Sequence, residues 1–345
     1  MPSNQAAWFE ASKAPLVVKP APVPKPEPGR VIIRNAAVAV NPIDWKIQDL
    51  LSASLIKKFP FILGQDTAGV IEQVGPDVKG FSKGQRVIAQ CSSLATQDPS
   101  ISAFQLYSNV STDIISVIPD TLAFKDAVVL PLAISTAATA LYQDSHLGLP
   151  LPSIQDAKPA GKTILVWGAS SSVGSMAVQL AHASGVDVVA TASQHNHDFV
   201  KSLGVKTVLD YKSPTIIDDL VKVLKGGNLA GIVDSISHTD TFKSIAEIRK
   251  QLGSSVKVAG VLPLMEAIPD FTPTTVMATT IFHDPNEHIG AYIWGKFVPK
   301  TLESGKLKAL PKSQVVGRGL ESIQKGLDVQ KQGVSASKVV IVLDD

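Results

Sequence analysis

The run Gly168-Ala169-Ser170-Ser171-Ser172-Val173-Gly174 has the residue types and spacing that point most directly to chemistry. It follows an apolar run, Thr163 to Trp167, and precedes a stretch with helical spacing of apolar residues. Small residues allow the backbone to come close to a diphosphate, which the first amides of a helix can bind. In the pattern G-x-G-x-x-G only Gly174 is kept, because Ala169 and Ser171 occupy the other two glycine positions. The run predicts a pyrophosphate-binding turn, with an ordinary tight turn as the alternative.

The end of the next predicted strand indicates which nicotinamide dinucleotide such a turn would hold. An NAD enzyme usually carries an Asp or Glu there, which hydrogen-bonds the ribose 2′-hydroxyl. Here the positions read Thr191-Ala192-Ser193-Gln194-His195-Asn196 and contain no carboxylate. Ser193, Asn196 and the downstream Lys201 could instead hold a 2′-phosphate. The sequence therefore favours NADPH, with an ordinary polar loop as the alternative.

Cysteine and histidine are too few and too scattered to predict a metal site. Cys91 is the single cysteine, so the chain cannot form an internal disulfide or a four-cysteine zinc lobe. Of the seven histidines, His195, His197, His283 and His288 have no carboxylate partner at ligand spacing. We expect no metal ion and a reducing compartment.

The composition is that of an ordinary globular protein of roughly two domains. The chain has 345 residues, of which 45% are apolar, and its formal net charge of +2 is far from the concentrated positive field that nucleic-acid binding needs. The apolar stretch Ala127 to Tyr142 is shorter than the ~20 residues of a membrane span. Met1 to Trp8 has neither the basic nor the apolar part of a signal peptide. We predict a cytoplasmic protein with no nucleic-acid or membrane partner.

The elements that must position the glycine-rich run are predicted by alternating strand and helix signals from about Gly161 onward. Strand-like apolar runs and helix-like amphipathic runs alternate, namely Thr163 to Trp167, a helical run to Ala183, Val186 to Ala192, a second helical run, Val208-Leu209, Leu229 to Val233, the helical run Ile245 to Leu252, and Val256 to Val261. This alternation predicts a doubly wound parallel sheet, which is the Rossmann nucleotide-binding architecture.

A different pattern precedes that region. Between Val31 and about Pro119, short apolar runs such as Val31-Ile32-Ile33 and Ala36 to Val40 are separated by Gly and Pro at close spacing. Close spacing leaves no room for crossover helices, so it predicts a mostly antiparallel β domain or partial barrel.

The tail returns to this β domain in the predicted organisation. A helix is expected at Gly319 to Gln332 and a strand at Lys338 to Leu343. The fold class is therefore α/β, with a β domain at residues 1–133 and 300–345 and an inserted Rossmann domain at residues 134–299.

Two segments of the β domain, Asn41-Pro42-Ile43-Asp44-Trp45-Lys46 and Gly64-Gln65-Asp66-Thr67-Ala68-Gly69, together with the Rossmann signals, resemble the medium-chain dehydrogenase/reductase superfamily. In its zinc alcohol dehydrogenases the first segment carries a catalytic Cys and the second a Gly-His-Glu. Here Asn41 and Gln65 stand near those places, and neither is a zinc anchor. The chain thus resembles the zinc-independent branch of quinone oxidoreductases and enoyl reductases, in which the β domain is GroES-like.

A closer resemblance is to the fungal trans-acting enoyl reductases. It is carried by Asn41 to Lys46, Leu130-Pro131-Leu132, Ser193 to Asn196, Asp210-Tyr211-Lys212 and Val334-Ser335. The resemblance implies that these residues line the cofactor: Ile43, Asp44, Trp45, Lys46, Ser170, Ser171, Ser172, Val173, Gly174, Ser193, Gln194, His195, Asn196, Tyr211, Gly260, Val261, Val334 and Ser335. Within Ser135 to Tyr142 and Thr280 to Asp284 it implies these substrate-lining residues: Ser135, Thr136, Thr139, Tyr142, Thr280, Phe282 and His283.

The function implied by this resemblance is that of a zinc-independent, NADPH-dependent reductase. The expected reaction is reduction of the C=C bond of an α,β-unsaturated carbonyl, with Lys46 or a water contacting the carbonyl or the ribose. Expected partners are a small enone, quinone or acyl substrate, including a carrier-bound polyketide chain, and the protein is expected to be a monomer or homodimer. The alternatives are a carbonyl or quinone reductase of the same fold and a non-catalytic NADPH-binding partner protein.

Overall fold

A computed structural model describes residues 3–253 and 255–344 of the chain, so Met1, Pro2, Ser254 and Asp345 lie outside the described residues. The chain divides into two compact units. The first runs to Leu132 and resumes at Trp294, and the second is Ala133–Ile293. The predicted domain boundaries were 133/134 and 299/300.

The strands are β1 Asn4–Phe9, β2 Val17–Ala21, β3 Arg30–Ala39, β4 Phe61–Ile62, β5 Asp66–Val74, β6 Arg86–Gln90, β7 Tyr107–Ser111, β8 Ile115–Val117, β9 Thr163–Trp167, β10 Asp187–Thr191, β11 Thr207–Leu209, β12 Leu229–Asp234, β13 Val258–Gly260, β14 Thr274–Thr275, β15 Lys312–Arg318 and β16 Ser337–Val342. The α-helices are α1 Pro42–Lys46, α2 Ser52–Leu55, α3 Ser93–Thr96, α4 Phe124–Ala127, α5 Pro131–Tyr142, α6 Ser172–Ala183, α7 His197–Lys201, α8 Ile216–Leu224, α9 Thr239–Leu252, α10 Glu287–Tyr292, α11 Val298–Glu303 and α12 Ile323–Gln332. Shorter 3-10 turns and the π-helical turns Ile47–Leu51 and Ile293–Phe297 complete the helical structure.

The first unit is built mainly from antiparallel strands. One sheet has the order β15-β16-β3-β5-β6-β8, with β7 also pairing with β3, and a smaller sheet has the order β2-β1-β4. The pair β15 and β16 is parallel, whereas the other described pairs of these two sheets are antiparallel. The predicted antiparallel β domain is confirmed.

Strand β3 is continuous over ten residues, although the sequence predicted two separate runs there. The two runs are separated by Arg34, which is half-buried, and Asn35, which is buried. The Asn35 side-chain amide donates to the backbone oxygen of Gln105 at 2.7 Å and to Ser108 Oγ at 2.8 Å. Because these partners satisfy the buried amide, Asn35 does not interrupt the strand.

Strand β16 lies inside its sheet, between β15 and β3. Val340 pairs with Ala39 in antiparallel register, and Val339, Val340 and Ile341 are fully buried. The strand predicted at Lys338 to Leu343 therefore exists and returns to the β structure formed by the first part of the chain.

The second unit contains a six-stranded sheet with the order β11-β10-β9-β12-β13-β14. All of its pairs are parallel. The order places β9 in the middle, with the chain moving outward to β11 on one side and to β14 on the other. This is the doubly wound arrangement that the alternating pattern predicted.

Helix α8 shows why the local sequence of the second unit folds in this way. Its buried residues Ile216, Leu220 and Leu224 recur every four positions and so form one apolar stripe. They join a core cluster with Leu165 of β9 and Phe242 of α9. The helices thus cover the apolar sheet that carries the glycine-rich turn.

One stretch, Phe124–Tyr142, is long and apolar enough by length and composition to cross a membrane, with a mean hydropathy of 1.4. However, 78% of this stretch is buried inside the protein. A buried core helix passes the same test, so this single stretch is weak evidence for a membrane span.

Candidate active site

The glycine-rich run forms the turn between β9 and α6, at the carboxyl end of the central strand of the second unit. Gly168 has a φ of +77°, a conformation that residues with a side chain rarely adopt. A Cβ atom on Gly174 would lie 2.3 Å from the backbone oxygen of Gly168. The backbone therefore packs too closely for any side chain at position 174.

Ser171 occupies the position of the second glycine in the pattern, and its side chain is directed into the protein. Its Oγ accepts a hydrogen bond from the amide of Gly174 at 3.0 Å and donates to Ser235 Oγ at 3.1 Å. Ser171 is thus the N-cap of α6. The Ser171 hydroxyl therefore stabilises the start of α6. Ser172 and Val173 are the first two residues of that helix.

The loop after β10 meets the glycine-rich turn. Asn196 Nδ2 lies 3.4 Å from Ser170 Oγ and 3.5 Å from Ser193 Oγ. Ser193 and Asn196 are buried, whereas His195 is exposed. The structure therefore brings three of the predicted cofactor-lining residues together.

A cavity of about 460 Å³ lies beyond the carboxyl ends of β10 and β11. It is lined by Gln194 from the first of these ends and by Asp210 and Lys212 from the second. The Asp210 carboxylate accepts a hydrogen bond from the amide of Lys212 at 2.9 Å, so it stabilises its own turn. Tyr211, in the same turn, is 40% exposed. Lys212 belongs to a run that carries the family resemblance, but the sequence analysis did not predict it as a cofactor contact; here it is a cation at this site.

A further group of polar residues lies at the carboxyl ends of β12 and β13. The amide of Val261 donates to Ser237 Oγ at 2.8 Å, and a Cβ atom on Gly260 would lie 2.9 Å from that oxygen. Ser235 Oγ donates to Trp167 O at 2.6 Å. Ser235 and Ser237 were missed from the sequence, although a polar run directly after a predicted strand is the signal that could have found them.

These features fit a nicotinamide dinucleotide. The turn at Gly168 and Gly174 leaves its backbone open to close approach, and α6 is a twelve-residue helix whose N-terminus points to that turn. Serine, asparagine and lysine side chains lie at the ends of the neighbouring strands, where α/β sheets bind ligands. Residues 170–174 would hold the diphosphate, and the loop after β10 would hold the adenosine end.

The substrate candidates on α5 are buried: Ser135, Thr136, Thr139 and Tyr142. The Tyr142 hydroxyl donates to Leu180 O at 3.1 Å, and burial raises the pKa of Tyr142. That hydroxyl therefore anchors α5 to α6. Thr139 Oγ1, in contrast, is buried without a hydrogen-bond partner among the described residues.

The other substrate candidates lie in the 3-10 turn that follows β14 and just beyond it. Thr280 Oγ1 accepts a hydrogen bond from Gln143 Nε2 at 2.8 Å, which joins this turn to the end of α5. Phe282 is half-buried and His283 is exposed. The structure thus brings Thr280 close to the α5 segment through Gln143, a residue that the sequence analysis did not name.

In the first unit the predicted cofactor residues Ile43 to Lys46 form α1. Ile43, Trp45 and Lys46 are half-buried, and Lys46 Nζ lies 5.8 Å from the centre of the Trp45 ring. Partial burial lowers the pKa of Lys46 from its ordinary value. Lys46 therefore gives up its proton more readily than an exposed lysine.

Asp44 differs from its neighbours because its side chain is turned into the protein. Its Oδ2 accepts a hydrogen bond from the amide of Asn41 at 2.8 Å, while Oδ1 has no partner among the described residues. Burial, helped by the negative charge of Asp66, raises the pKa of Asp44 to about 7. The carboxyl stabilises the start of α1.

A buried charged triangle lies next to Asp44 and consists of Asn41, Asp66 and Lys338. Lys338 Nζ donates to Asn41 Oδ1 at 2.5 Å and lies 2.8 Å from Asp66 Oδ2. Asn41 Nδ2 donates to Asp66 Oδ2 at 2.8 Å. The side chains of Lys338 and Asp66 are 3% and 0% exposed. Each member is therefore bonded to the other two in the interior of the first unit.

Sequence reasoning missed Asp66 and Lys338 as members of this site. Lys338 precedes an apolar run and has the appearance of an exposed residue at a strand start. Val334 and Ser335, which were predicted to line the cofactor, lie just before β16; Val334 is half-buried and Ser335 is exposed.

The triangle does not fit a zinc ion. Zinc sites use Cys, His and carboxylate ligands, and here an ammonium group already satisfies Asp66 and the Asn41 oxygen. Cys91 is fully buried, and burial raises the pKa of its thiol, which disfavours the thiolate that binds metal. No cluster of three or more His, Cys, Asp or Glu that could hold a metal occurs in residues 3–253 and 255–344.

Two family models match the chain. The alcohol dehydrogenase GroES-like domain matches residues 27–124, and the zinc-binding dehydrogenase model matches residues 172–283. The first lies within the antiparallel unit and the second contains α6 and most of the parallel sheet.

Known proteins resemble the chain over its whole length. The trans-enoyl reductase himH of Aspergillus japonicus is 45% identical over 343 residues, which cover 98% of this chain and 97% of himH. The dehydrogenase orsE of Emericella nidulans is 38% identical over an alignment of 357 positions, which covers 99% of this chain and 100% of orsE. The solved structure of CurK enoyl reductase has the same fold, with a TM-score of 0.77 at 20% identity and 99% of each chain covered.

The antiparallel GroES-like unit, the parallel sheet and the glycine-rich turn define a medium-chain dehydrogenase/reductase, an oxidoreductase that uses a nicotinamide cofactor. Within that superfamily the chain belongs to the branch that contains the fungal trans-enoyl reductases.

Proposed function

We propose that this protein is an NADPH-dependent, zinc-independent reductase that saturates the C=C bond of an α,β-unsaturated carbonyl compound. The observation that carries the proposal is the Asn41, Asp66 and Lys338 triangle, because Asn41, which stands near the place of the catalytic Cys of the zinc enzymes, is bonded to a buried ammonium and a buried carboxylate. In the zinc enzymes the metal polarises a simple carbonyl. A conjugated carbonyl needs less polarisation by an external group, since the negative charge that develops when hydride adds to the C=C bond is delocalised onto the carbonyl oxygen. The name of himH, a trans-enoyl reductase, supports the same chemistry.

The residues of this chain have two tasks in that reaction: they hold the cofactor, and they offer a proton donor to the substrate. The nicotinamide, when bound, supplies the hydride. The glycine-rich turn and the N-terminus of α6 bind and orient the diphosphate. Lys46 offers its ammonium to the carbonyl oxygen or the ribose, and its lowered pKa makes it a better proton source than an exposed lysine.

The substrate class is tested by following NADPH oxidation with purified protein against enones, quinones and α,β-unsaturated acyl thioesters. The thioesters stand for acyl chains on a carrier. We expect turnover with conjugated substrates and a product in which the C=C bond is saturated and the C=O bond kept. Saturated thioesters serve as the matched control and should not react. Consumption of C=O alone, or of quinones alone, would replace this proposal by a carbonyl or quinone reductase, and NADPH binding without any turnover would identify a binding protein.

The cofactor preference for NADPH is proposed from the loop after β10. Ser193 and Asn196 offer neutral donors, and Lys212 lines the same cavity as Gln194. Charge-assisted hydrogen bonds contribute about 1.5 to 3 kcal/mol each, so even one that forms only with the 2′-phosphate favours NADPH by about tenfold or more.

Titration calorimetry with the two cofactors checks this preference. Ser193→Asp should remove most of it, because a carboxylate repels the phosphate and accepts a hydrogen bond from the 2′-hydroxyl of NADH. Ser244→Asp, an equal charge change at a half-buried position of α9, should leave it intact. Equal affinities of the wild-type protein for NADPH and NADH would show that this loop does not read the phosphate.

Independence from zinc is tested by elemental analysis and activity after dialysis against a chelator. The dialysed protein should keep its full rate, because Asn41 and Asp66 are engaged with Lys338. Stoichiometric zinc whose removal abolishes activity would contradict the proposal.

A further inference from the structure

The buried triangle of Asn41, Asp66 and Lys338 connects three distant parts of the first unit. Asn41 immediately precedes α1, Asp66 is the first residue of β5, and Lys338 lies in β16. Asp66 Oδ1 also accepts a hydrogen bond from the amide of Leu132 at 2.7 Å. A buried charge is strongly disfavoured unless it is paired and hydrogen-bonded, so the position of each group is tied to that of the others.

The triangle determines where α1 begins. Asn41 is the N-cap residue of α1, yet its amide group is bonded to Asp66 and Lys338. Asp44 stabilises the helix start instead, through the backbone amide of Asn41. The helical segment that begins with α1 continues through the turn Ile47–Leu51 and α2, and its internal hydrogen bonds hold the segment together without fixing the place where it starts. The bonds to Asn41 are therefore what fixes the direction in which the chain enters α1.

Stability alone does not account for a buried lysine in this place. Replacing a buried ion pair by well-packed apolar residues is often neutral or stabilising. A hydrogen-bonded triangle instead fixes the orientation of the Asn41 side chain. The Asn41 amide nitrogen donates to Asp66 and the amide oxygen accepts from Lys338, so only one orientation of the amide satisfies both charged groups. The segment that follows Asn41 carries Lys46 two residues after Asp44.

We propose that Lys338 is a positioning residue for Lys46: by holding the Asn41 amide against Asp66, it fixes the start of α1 and with it the site of the Lys46 ammonium. This inference rests on the proposed function, which gives Lys46 its contact with the carbonyl or the ribose. Lys338 itself does not touch the reacting atoms. It acts through Asn41.

Two variants separate positioning from stability. Lys338→Met removes the ammonium, which leaves the Asp66 carboxylate without its counter-ion and endangers folding. Asn41→Ala cuts the link to α1 but keeps Lys338 and Asp66 paired at 2.8 Å. The second variant therefore keeps the inference testable even where the first does not fold.

A matched control is available on the surface of the same segment. Lys331 Nζ lies 2.6 Å from Asp49 Oδ2, in the π-helical turn that continues α1, and the two side chains are 57% and 28% exposed. Lys331→Met makes the same substitution in α12, at a contact with the helical segment that begins with α1. An exposed pair of this kind contributes little, so its kcat and KM should stay within about twofold of wild type.

The kinetic test uses kcat and KM for NADPH with an accepted enone. Asn41→Ala should lower kcat/KM by about tenfold to a hundredfold, because a small misplacement of a catalytic group has effects of this size. The loss should fall on kcat or on KM according to which of the two Lys46→Ala changes. In a Lys46→Ala background, Asn41→Ala should cause little further loss, since the group that it positions is already gone. Wild-type kinetics in Asn41→Ala, or fully additive losses in the double variant, would overturn the inference.

Amide hydrogen exchange of residues 41–47 gives a second readout that does not depend on turnover. Exchange there should become faster in Asn41→Ala and Lys338→Met and stay at the wild-type rate in Lys331→Met. If the wild-type protein reduces no enone, the proposed function fails. The exchange pattern would still support the role of Lys338 in positioning residues 41–47. Unchanged exchange in Asn41→Ala would overturn the positioning role whatever the activity.

Discussion

Gly174 is a residue at which the backbone geometry of the second unit leaves no room for a side chain. Its missing side chain lets α6 begin within van der Waals distance of Gly168, where a Cβ atom would lie 2.3 Å from the backbone oxygen. The sequence indicated this requirement because it is local: the glycine, the strand before it and the helix after it lie within about twenty residues of one another.

We expect Gly174→Val to abolish measurable NADPH binding, because the helix must shift away from the turn to admit the side chain. Gly295→Val is the matched control, since a Cβ atom on Gly295 would meet nothing within 4 Å. Calorimetric titration of both variants with NADPH checks the prediction. Wild-type affinity in Gly174→Val would show that the diphosphate does not bind at this turn.

Asp44 gives the unfolding free energy a distinct pH dependence. Its pKa is raised by burial to about 7 in the folded protein from an ordinary value of 3.8, so the folded state binds the proton more tightly than the unfolded state. The stabilisation from this proton is complete below about pH 4 and is lost as the pH rises towards and through 7.

Asp44→Asn should remove this contribution, because an amide imitates the protonated carboxyl at every pH. Relative to the variant, the wild-type protein should lose up to about 1.4 kcal/mol of unfolding free energy per pH unit between pH 4 and 7. Urea unfolding at a series of pH values measures the difference. Parallel curves for the two proteins would contradict it.

The charged triangle could not be predicted in the same way as the glycine-rich turn. Asn41 and Lys338 lie 297 positions apart in the sequence. A lysine before an apolar run reads as the exposed start of a strand, and nothing within its own neighbourhood indicates that a carboxylate and an amide will meet it. Identifying such a site requires the pairing of β16 with β3, which local periodicity does not specify.

At the scale of elements, α6 shows how a departure from the expected pattern is accommodated. Ser171 takes a glycine position but uses its hydroxyl to cap the helix, bonded to the Gly174 amide and to Ser235. The side chain thus contributes to the helix whose N-terminus faces the proposed diphosphate site.

Ser171→Ala should lower the unfolding free energy by about 1 kcal/mol, whereas Ser171→Gly should lower it by a few tenths, because glycine is a far better N-cap than alanine. NADPH affinity should be kept in Ser171→Gly, which restores the glycine of the general pattern. Thermal unfolding and cofactor titration of the two variants check this. A larger stability loss for glycine than for alanine would show that capping is not what Ser171 does.

The elements of the second unit were predictable because each strand and helix has its own periodicity, as the four-residue spacing in α8 illustrates. The polar residues after β12 were not singled out, although the rule that ligands bind at the carboxyl ends of parallel strands applied to them as it did to Ser193. In the first unit, the separation of β3 into two runs was wrong because Asn35 finds buried partners from residues about 70 positions away.

At the scale of the whole molecule, the first unit is assembled from two separate parts of the chain. Strand β16 has β15 on one side and β3 on the other, so its backbone groups complete the hydrogen bonding of both. Its side chains Val339, Val340 and Ile341 are fully buried.

Truncation after Ala336 should therefore prevent the first unit from folding, because it removes these three core residues and leaves β3 with an unpaired edge over Ala37 to Ala39. Truncation after Leu343 keeps β16 and should be tolerated. Circular dichroism and limited proteolysis of the two truncated proteins distinguish the outcomes. A protease-resistant first unit in the shorter protein would contradict the prediction.

The interior position of β16 also sets an order of events during synthesis on the ribosome. Residues 133–293, which form the second unit, emerge as one continuous stretch and can fold as soon as they are clear. Residues before 133 emerge earlier, yet their sheet lacks the strand that pairs with β3 over Ala37 to Ala39 until residue 342 has been made. The part of the protein that is translated first is therefore the part that finishes folding last, and during that interval its open strand edge is exposed to other chains and to chaperones.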